Sequence, residues 1–131
     1  MNTPFPHRYE VTLNGESGPQ GLLSAGSRPV LAGGAPPEFG GDDSRWSPEH
    51  LLLASASLCL MSTFAAVAAK SQLEYSDYAS VAEGALDKTP EGPRFTRILI
   101  KATFQDSQSS KPGSRRCNFA NSSRSNLAAP S

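Results

Sequence analysis

Polar and apolar residues alternate over Arg8-Tyr9-Glu10-Val11-Thr12-Leu13-Asn14, and the run ends on Asn14-Gly15. A period of two followed by Asn-Gly predicts a strand and a hairpin turn. Gly21-Leu22-Leu23-Ser24-Ala25 is the natural returning strand. Arg28-Pro29-Val30-Leu31-Ala32 reads as a short edge strand, because Pro29 has no N–H to give a ladder. Gly33 to Asp43 holds four glycines, two prolines and two aspartates and predicts a long loop, a kind of segment that often carries function.

The pattern then changes period. From Ser47 to about Ser71 the chain is apolar nearly all round, with small residues on several faces. Ser47 is a natural N-cap, Pro48 suits the first helical position, and Glu49 places an anion at the positive end of the macrodipole. One long helix follows, about 35 Å at 1.5 Å per residue. Leu51 to Ala69 carries no charge and has the length of a membrane span. Ser55, Ser57, Ser62, Thr63 and many alanines favour instead a helix gripped by neighbours in a soluble core. Trp46 is placed to pack as a staple beside the cap.

Alternation returns at Tyr78 to Asp87, with Tyr78, Ser80, Ala82, Gly84 and Leu86 on one side. A turn at Lys88 to Pro93 leads to Arg94–Gln105, where Phe95, Arg97, Leu99, Lys101 and Thr103 alternate with Thr96, Ile98, Ile100, Ala102 and Phe104. The two runs predict an antiparallel hairpin. Residues 106–131 are rich in Ser, Asn and Arg and show no period, so composition predicts a loop or disordered tail. The organisation expected is a core over 1–105 and an atypical segment over 106–131.

Composition narrows the function classes. The 131 residues suffice for one modest core, and 12 Lys+Arg against 12 Asp+Glu argue against a nucleic-acid surface. The N-terminus lacks the apolar stretch of a signal peptide, and two cysteines are too few for a disulfide scaffold or a zinc site. The expected location is the cytosol, with the thiols reduced.

Chemistry then rests on few residues. Cys59 sits in the middle of the apolar helix, where a buried cysteine is commonly a small hydrophobe. The helix dipole fades within the first turn, so a reactive Cys59 needs a cation from elsewhere. Glu49 is ten residues before it, about 80° away around a helix of 3.6 residues per turn. Dipole stabilisation alone explains Glu49; its alternative role is to hold an arginine over the thiol. Arg8, Arg28 and Arg45 are the candidates, each also explained as a solvated surface residue. Cys117 follows Arg115-Arg116, which would favour its thiolate. His7 and His50 lack the spaced partners of a metal site.

Trp46-Ser47-Pro48-Glu49-His50-Leu51-Leu52-Leu53-Ala54-Ser55-Ala56-Ser57-Leu58-Cys59 resembles the central-helix signature of the OsmC/Ohr family of thiol peroxidases, with the cysteine eleven positions after the proline. Val81 to Asp87 and Arg94 to Ile98 look like that family's strand pair, and Pro36 to Gly41 like the approach loop of one subgroup. Cys117-Asn118-Phe119-Ala120-Asn121-Ser122 is similar to its second cysteine motif. The resemblance covers roughly residues 8–105. It implies an α+β fold, an antiparallel sheet around a long buried helix, and an intertwined homodimer with active sites at the dimer interface. It implies that Cys59 is peroxidatic, Cys117 resolving, and Glu49 the orienter of an arginine, taken as Arg45 or Arg28. It implies organic hydroperoxide substrates, apolar walls from Leu52, Leu58, Leu60 and Phe64, an external dithiol reductant, and no metal or organic cofactor. A non-catalytic dimeric member is the alternative, because the family's second long helix has no counterpart in the short stretch after Gln105.

Overall fold

The computed structural model describes residues 3–107 and the backbone of 116–123. It divides into two compact units, Met1–Pro48 and the part from Glu49 onward.

The first unit is a meander of β1 (Thr12–Gly15), β2 (Gln20–Ser24) and β3 (Leu31–Gly34) in the order β1-β2-β3. The hairpin is present, but its turn is not at Asn14-Gly15: these two residues are still laddered, Gly15 to Gly21, and the turn falls on residues 16–19, with Glu16 N–H donating to Gln20 O at 2.9 Å. The approach is close at Gly21: a Cβ there would lie 2.7 Å from Leu13 Cδ1. Only Thr12–Gly15 of the alternating run is laddered, so residues 8–11 are not in a strand. The third strand begins at Leu31 and takes in Gly33 and Gly34, which composition had put in the loop.

The loop from Ala35 to Arg45 closes on itself. Gly34 N–H donates to Trp46 O at 2.9 Å and Trp46 N–H to Ala32 O at 3.2 Å, a parallel bridge joining its two feet. Pro37–Phe39 forms a 3-10 turn within it, and Gly40 takes a left-handed φ of 87° after it. At Gly41 the chain touches itself: a Cβ would fall 1.6 Å from Ala35 O. Trp46 is thus fixed through its backbone, while its side chain is 48% exposed rather than packed as a staple.

In the second unit, α1 runs over Pro48–Lys70, close to the expected bounds. Ser47 just before it is buried, as befits a cap position. The helix ends in a Schellman motif. Leu73 N–H donates to Ala68 O at 2.8 Å and Gln72 N–H to Ala69 O at 3.2 Å, with Gln72 in the left-handed region at φ 56°.

β4 (Tyr75–Thr89) and β5 (Gly92–Asp106) form the expected hairpin, a little longer at both ends. Two bulges shape it. Ala85 pairs with Arg97 and Leu86 with Phe95, which leaves Thr96 as an extra residue on β5. Thr96 Oγ1 donates to Ala85 O at 3.3 Å across this point. The slip turns Phe95 onto the same face as Ile98, Ile100, Ala102 and Phe104, all buried. A strict period of two places Phe95 on the opposite face, so this expectation is corrected. The second bulge lies on β4, where Asp77 and Tyr78 stand opposite Phe104 and Asp77 has φ 55°.

The C-terminal segment departs further. β6 (Arg116–Ser123) pairs antiparallel with β5 from Gln105↔Arg116 to Ile98↔Ser123, giving the sheet order β4-β5-β6. Composition had assigned these residues to a loop or disordered tail. Backbone pairing along the second edge of β5 outweighs their weak strand propensity.

The core of this unit is Phe95, Ile98 and Ile100 against Leu52, Leu53, Ala56 and Leu60 of α1. Gly84 makes room for it, since a Cβ there would lie 2.7 Å from Phe95 Cε1 and 3.0 Å from Leu53 Cδ2. The architecture is α+β, as expected. The helix, however, is not buried all round: Ala68 is its one buried residue, while Leu58 is 60% and Val67 56% exposed.

Candidate functional site

The helical period decides what α1 presents. Leu52, Leu53, Ala56 and Leu60 face the sheet, and Ser57 Oγ donates back to Leu53 O at 2.8 Å. The side that remains bears Ser55, Leu58, Cys59, Ser62 and Ala66, all exposed. Cys59 is therefore an exposed free thiol, and the expectation of a buried one is corrected. Its surroundings on the helix are small or apolar, with Leu58 beside it and Met61 half a turn on. The four apolar walls expected for a substrate do not share a face. Leu58 alone lies on the exposed side with Cys59, whereas Leu52 and Leu60 belong to the core. Phe64 joins an aromatic cluster, 4.7 Å from both Tyr75 and Phe104 and 5.3 Å from Tyr78 between ring centroids.

Glu49 occupies the first turn of α1. Both of its carboxylate oxygens are shut off from solvent, and among the described residues neither has a hydrogen-bond partner. An ionised carboxylate in that state lacks both water and a cation, which costs several kcal/mol per ion. The helix start compensates part of this.

The three arginine candidates differ sharply. Arg45 donates through Nη1 to Glu16 Oε1 at 2.6 Å. Arg28 folds back on its own turn, with Nη1 3.5 Å from Ala25 O. Arg8 is exposed in the stretch before β1. Arg45 is thus the candidate whose guanidinium is held by a carboxylate. Beside it, Asp42 accepts from Ser44 N–H at 2.9 Å, Ser44 Oγ at 2.5 Å and Gln20 Nε2 at 3.1 Å. These bonds, those from Ser44 first, together with the charge of Arg45, hold the Asp42 carboxyl below its ordinary pKa. Arg45 and Glu16 belong to the first unit, Glu49 and Cys59 to the second.

Cys117 stands in β6 in register with Phe104. Its side chain lies outside the described residues, as does the rest of the expected motif beyond its backbone. His7 is occupied by Thr3 O at 2.8 Å and stacks on Phe5 at 4.2 Å between ring centroids. Among the described residues no group of three or more His, Cys, Asp and Glu is placed to hold a metal ion.

Two residues escaped the sequence reading. Glu16, the partner of Arg45, lies in the turn that follows β1 and carries no signal of its own. Tyr78 was read only as one side of an alternating strand, yet its hydroxyl is enclosed and has no partner among the described residues. Burial first, and Tyr75 second, raise the Tyr78 pKa above that of an ordinary phenol.

A family model described as OsmC-like protein matches residues 41–122. Among solved structures, an OsmC-like protein of unknown function from Vibrio cholerae O1 biovar eltor superposes with a TM-score of 0.73. The identity is 19%, over 82% of this chain and 80% of that one, a likeness that speaks for the fold. No curated protein matches the chain.

Proposed function

The chain belongs to the OsmC-like protein family, whose model spans well over half of it, and from that membership we propose that it is a thiol-dependent peroxidase of organic hydroperoxides. The observation that carries this reading is Cys59: a free thiol held at a solvent-exposed position in the middle of α1, within the stretch that the family model matches. A thiol kept only as core filling would be buried.

The cycle proposed is as follows. The Cys59 thiolate attacks the terminal oxygen of the hydroperoxide, the O–O bond breaks, and Cys59 becomes a sulfenic acid while the alkoxide takes a proton to leave as an alcohol. The Cys117 thiol then condenses with the sulfenic acid, forming a disulfide and releasing water. An external dithiol returns both cysteines to the reduced state. Arg45 is the cation that favours the thiolate, and Glu49 is the carboxylate that orients it. Among the described residues Glu49 has no partner, which supports the second role. The apolar character of Leu58 and Met61 favours organic peroxides over hydrogen peroxide. The chain works as a cytosolic homodimer with its active sites at the dimer interface.

Turnover of an aryl hydroperoxide with a dithiol tests the reading. Cys59→Ser reduces the rate to that of buffer. Equal turnover by the two proteins ends the proposal and leaves a non-catalytic dimeric member of the family in its place.

A further inference from the structure

The helical period decides which side chains stand around Cys59 on α1. Residues three and four places away share its side of the helix. They are Ser55, Ala56, Ser62 and Thr63. Ala56 packs against the core, while the other three carry hydroxyls and are exposed. Ser62 Oγ is committed to Leu58 O at 2.9 Å, just as Ser57 Oγ is committed to Leu53 O. The hydroxyls of Ser55 and Thr63 make no such bond among the described residues. Thr63 stands about 6 Å along the axis from Cys59 and about 40° around it. A helical side chain leans toward the N-terminus, over the residue four places earlier. Thr63 is therefore carried over Cys59, whereas Ser55 is carried over Leu51. Both Thr63 and Cys59 belong to one continuous helix, so their spacing depends on no other element.

We propose that Thr63 is a catalytic residue of the peroxidase, its hydroxyl donating to the oxygen that departs when Cys59 attacks. The proposal rests on the reading of Cys59 given above. In that step the Cys59 sulfur bonds to the terminal oxygen of the hydroperoxide. The O–O bond breaks, and its electron pair stays on the oxygen attached to carbon. Negative charge develops there, and a donor waiting at that place stabilises the transition state more than the ground state. Thr63 keeps its proton and gives a hydrogen bond; water supplies the proton that completes the alcohol. The site is open to water, which competes for the same oxygen and limits the gain to that of one charge-assisted hydrogen bond.

The test uses the full chain carrying Cys117→Ser, in which the reaction stops at the sulfenic acid. A single turnover with an aryl hydroperoxide is followed by trapping the sulfenic acid with dimedone and weighing the intact chain. Thr63→Val keeps the branched shape and removes the donor. It is expected to slow the step about tenfold. Thr63→Ser, which keeps a hydroxyl, is expected to restore most of the rate, and Ser55→Ala to stay near the parent. Alkylation of Cys59 by iodoacetamide, which has no O–O bond, is expected to be the same in all of them. An unchanged peroxide rate in Thr63→Val overturns the proposal. So does a Thr63→Ser as slow as Thr63→Val, an equal loss in Ser55→Ala, or a parallel loss of alkylation, which would place the effect on the thiol itself. A parent chain whose Cys59 the hydroperoxide leaves unoxidised ends the peroxidase reading and this proposal together, an outcome distinct from a fast Thr63→Val in an active parent.

Discussion

The Tyr78 hydroxyl is shut off from solvent and has no partner among the described residues, while its ring lies 5.3 Å from that of Phe64 between centroids. A buried, unsatisfied hydroxyl opposes folding by roughly 1–3 kcal/mol. Tyr78→Phe keeps the ring contacts and removes that cost, so it is expected to raise stability by up to about 1 kcal/mol in urea melts. The pKa of the phenol is raised in the folded state, chiefly by burial. The folded chain therefore binds the proton more tightly than the unfolded chain does. Stability from this source is complete below the ordinary phenol pKa and declines as pH rises through the folded one. Wild type is expected to lose stability more steeply than Tyr78→Phe above about pH 10, as melts across alkaline pH would show. Single residues also mark where the sequence was hardest to read. Cys59 was read as buried because every neighbour on α1 is apolar or small, and apolar surroundings along a helix say nothing about which side is covered. Glu16 was missed because its partner lies twenty-nine positions away and a long-range ion pair leaves no local signature.

The elements were far more legible. Cap chemistry at Ser47 and Pro48 located the start of α1, and the loss of apolar residues after Ala69 located its end. Alternation found both strands of the long hairpin. What the pattern missed is the bulge at Thr96, because one extra residue inverts the face of everything before it while leaving the composition unchanged. It also missed β6, whose Ser and Asn content suits a turn and whose order comes from the open edge of β5. Between α1 and the sheet, Gly84 sets the approach. Gly84→Val would drive two methyl groups against Phe95 and Leu53, and a loss of about 1–3 kcal/mol is expected in chemical denaturation. Ala85→Val, on the exposed side of the same strand, is expected to change stability by no more than about 0.5 kcal/mol.

At the scale of the whole molecule, the exposed side of α1 is the main unresolved debt of apolar surface. The helix is long and apolar enough to cross a membrane by length and composition. The alternative that fits the proposed function is a second copy laid along Leu58, Ser62 and Val67. Leu58→Asp places a charge in the middle of that side. It is expected to turn a dimer into a monomer in light scattering, with aggregation as a secondary consequence of the uncovered helix. A wild-type chain that is monomeric at micromolar concentration would remove the dimer from the reading. If the dimer holds, the thermal midpoint climbs with protein concentration, because association then contributes to stability by mass action.

The closure of the Ala35–Arg45 loop by Trp46 and β3 has a different consequence, for how this protein can change over generations. The loop leaves and rejoins the body of the chain at one bridged point, so its contour length is uncoupled from the register of β3 and from the start of α1. Doubling a flexible loop costs only about 0.6 kcal/mol in closure entropy. Insertions after Gly40, which already bends through left-handed space, would thus add new side chains while the two feet stay joined. Relatives are expected to differ most in length at this point, and a grafted peptide there should be carried with little change in melting temperature.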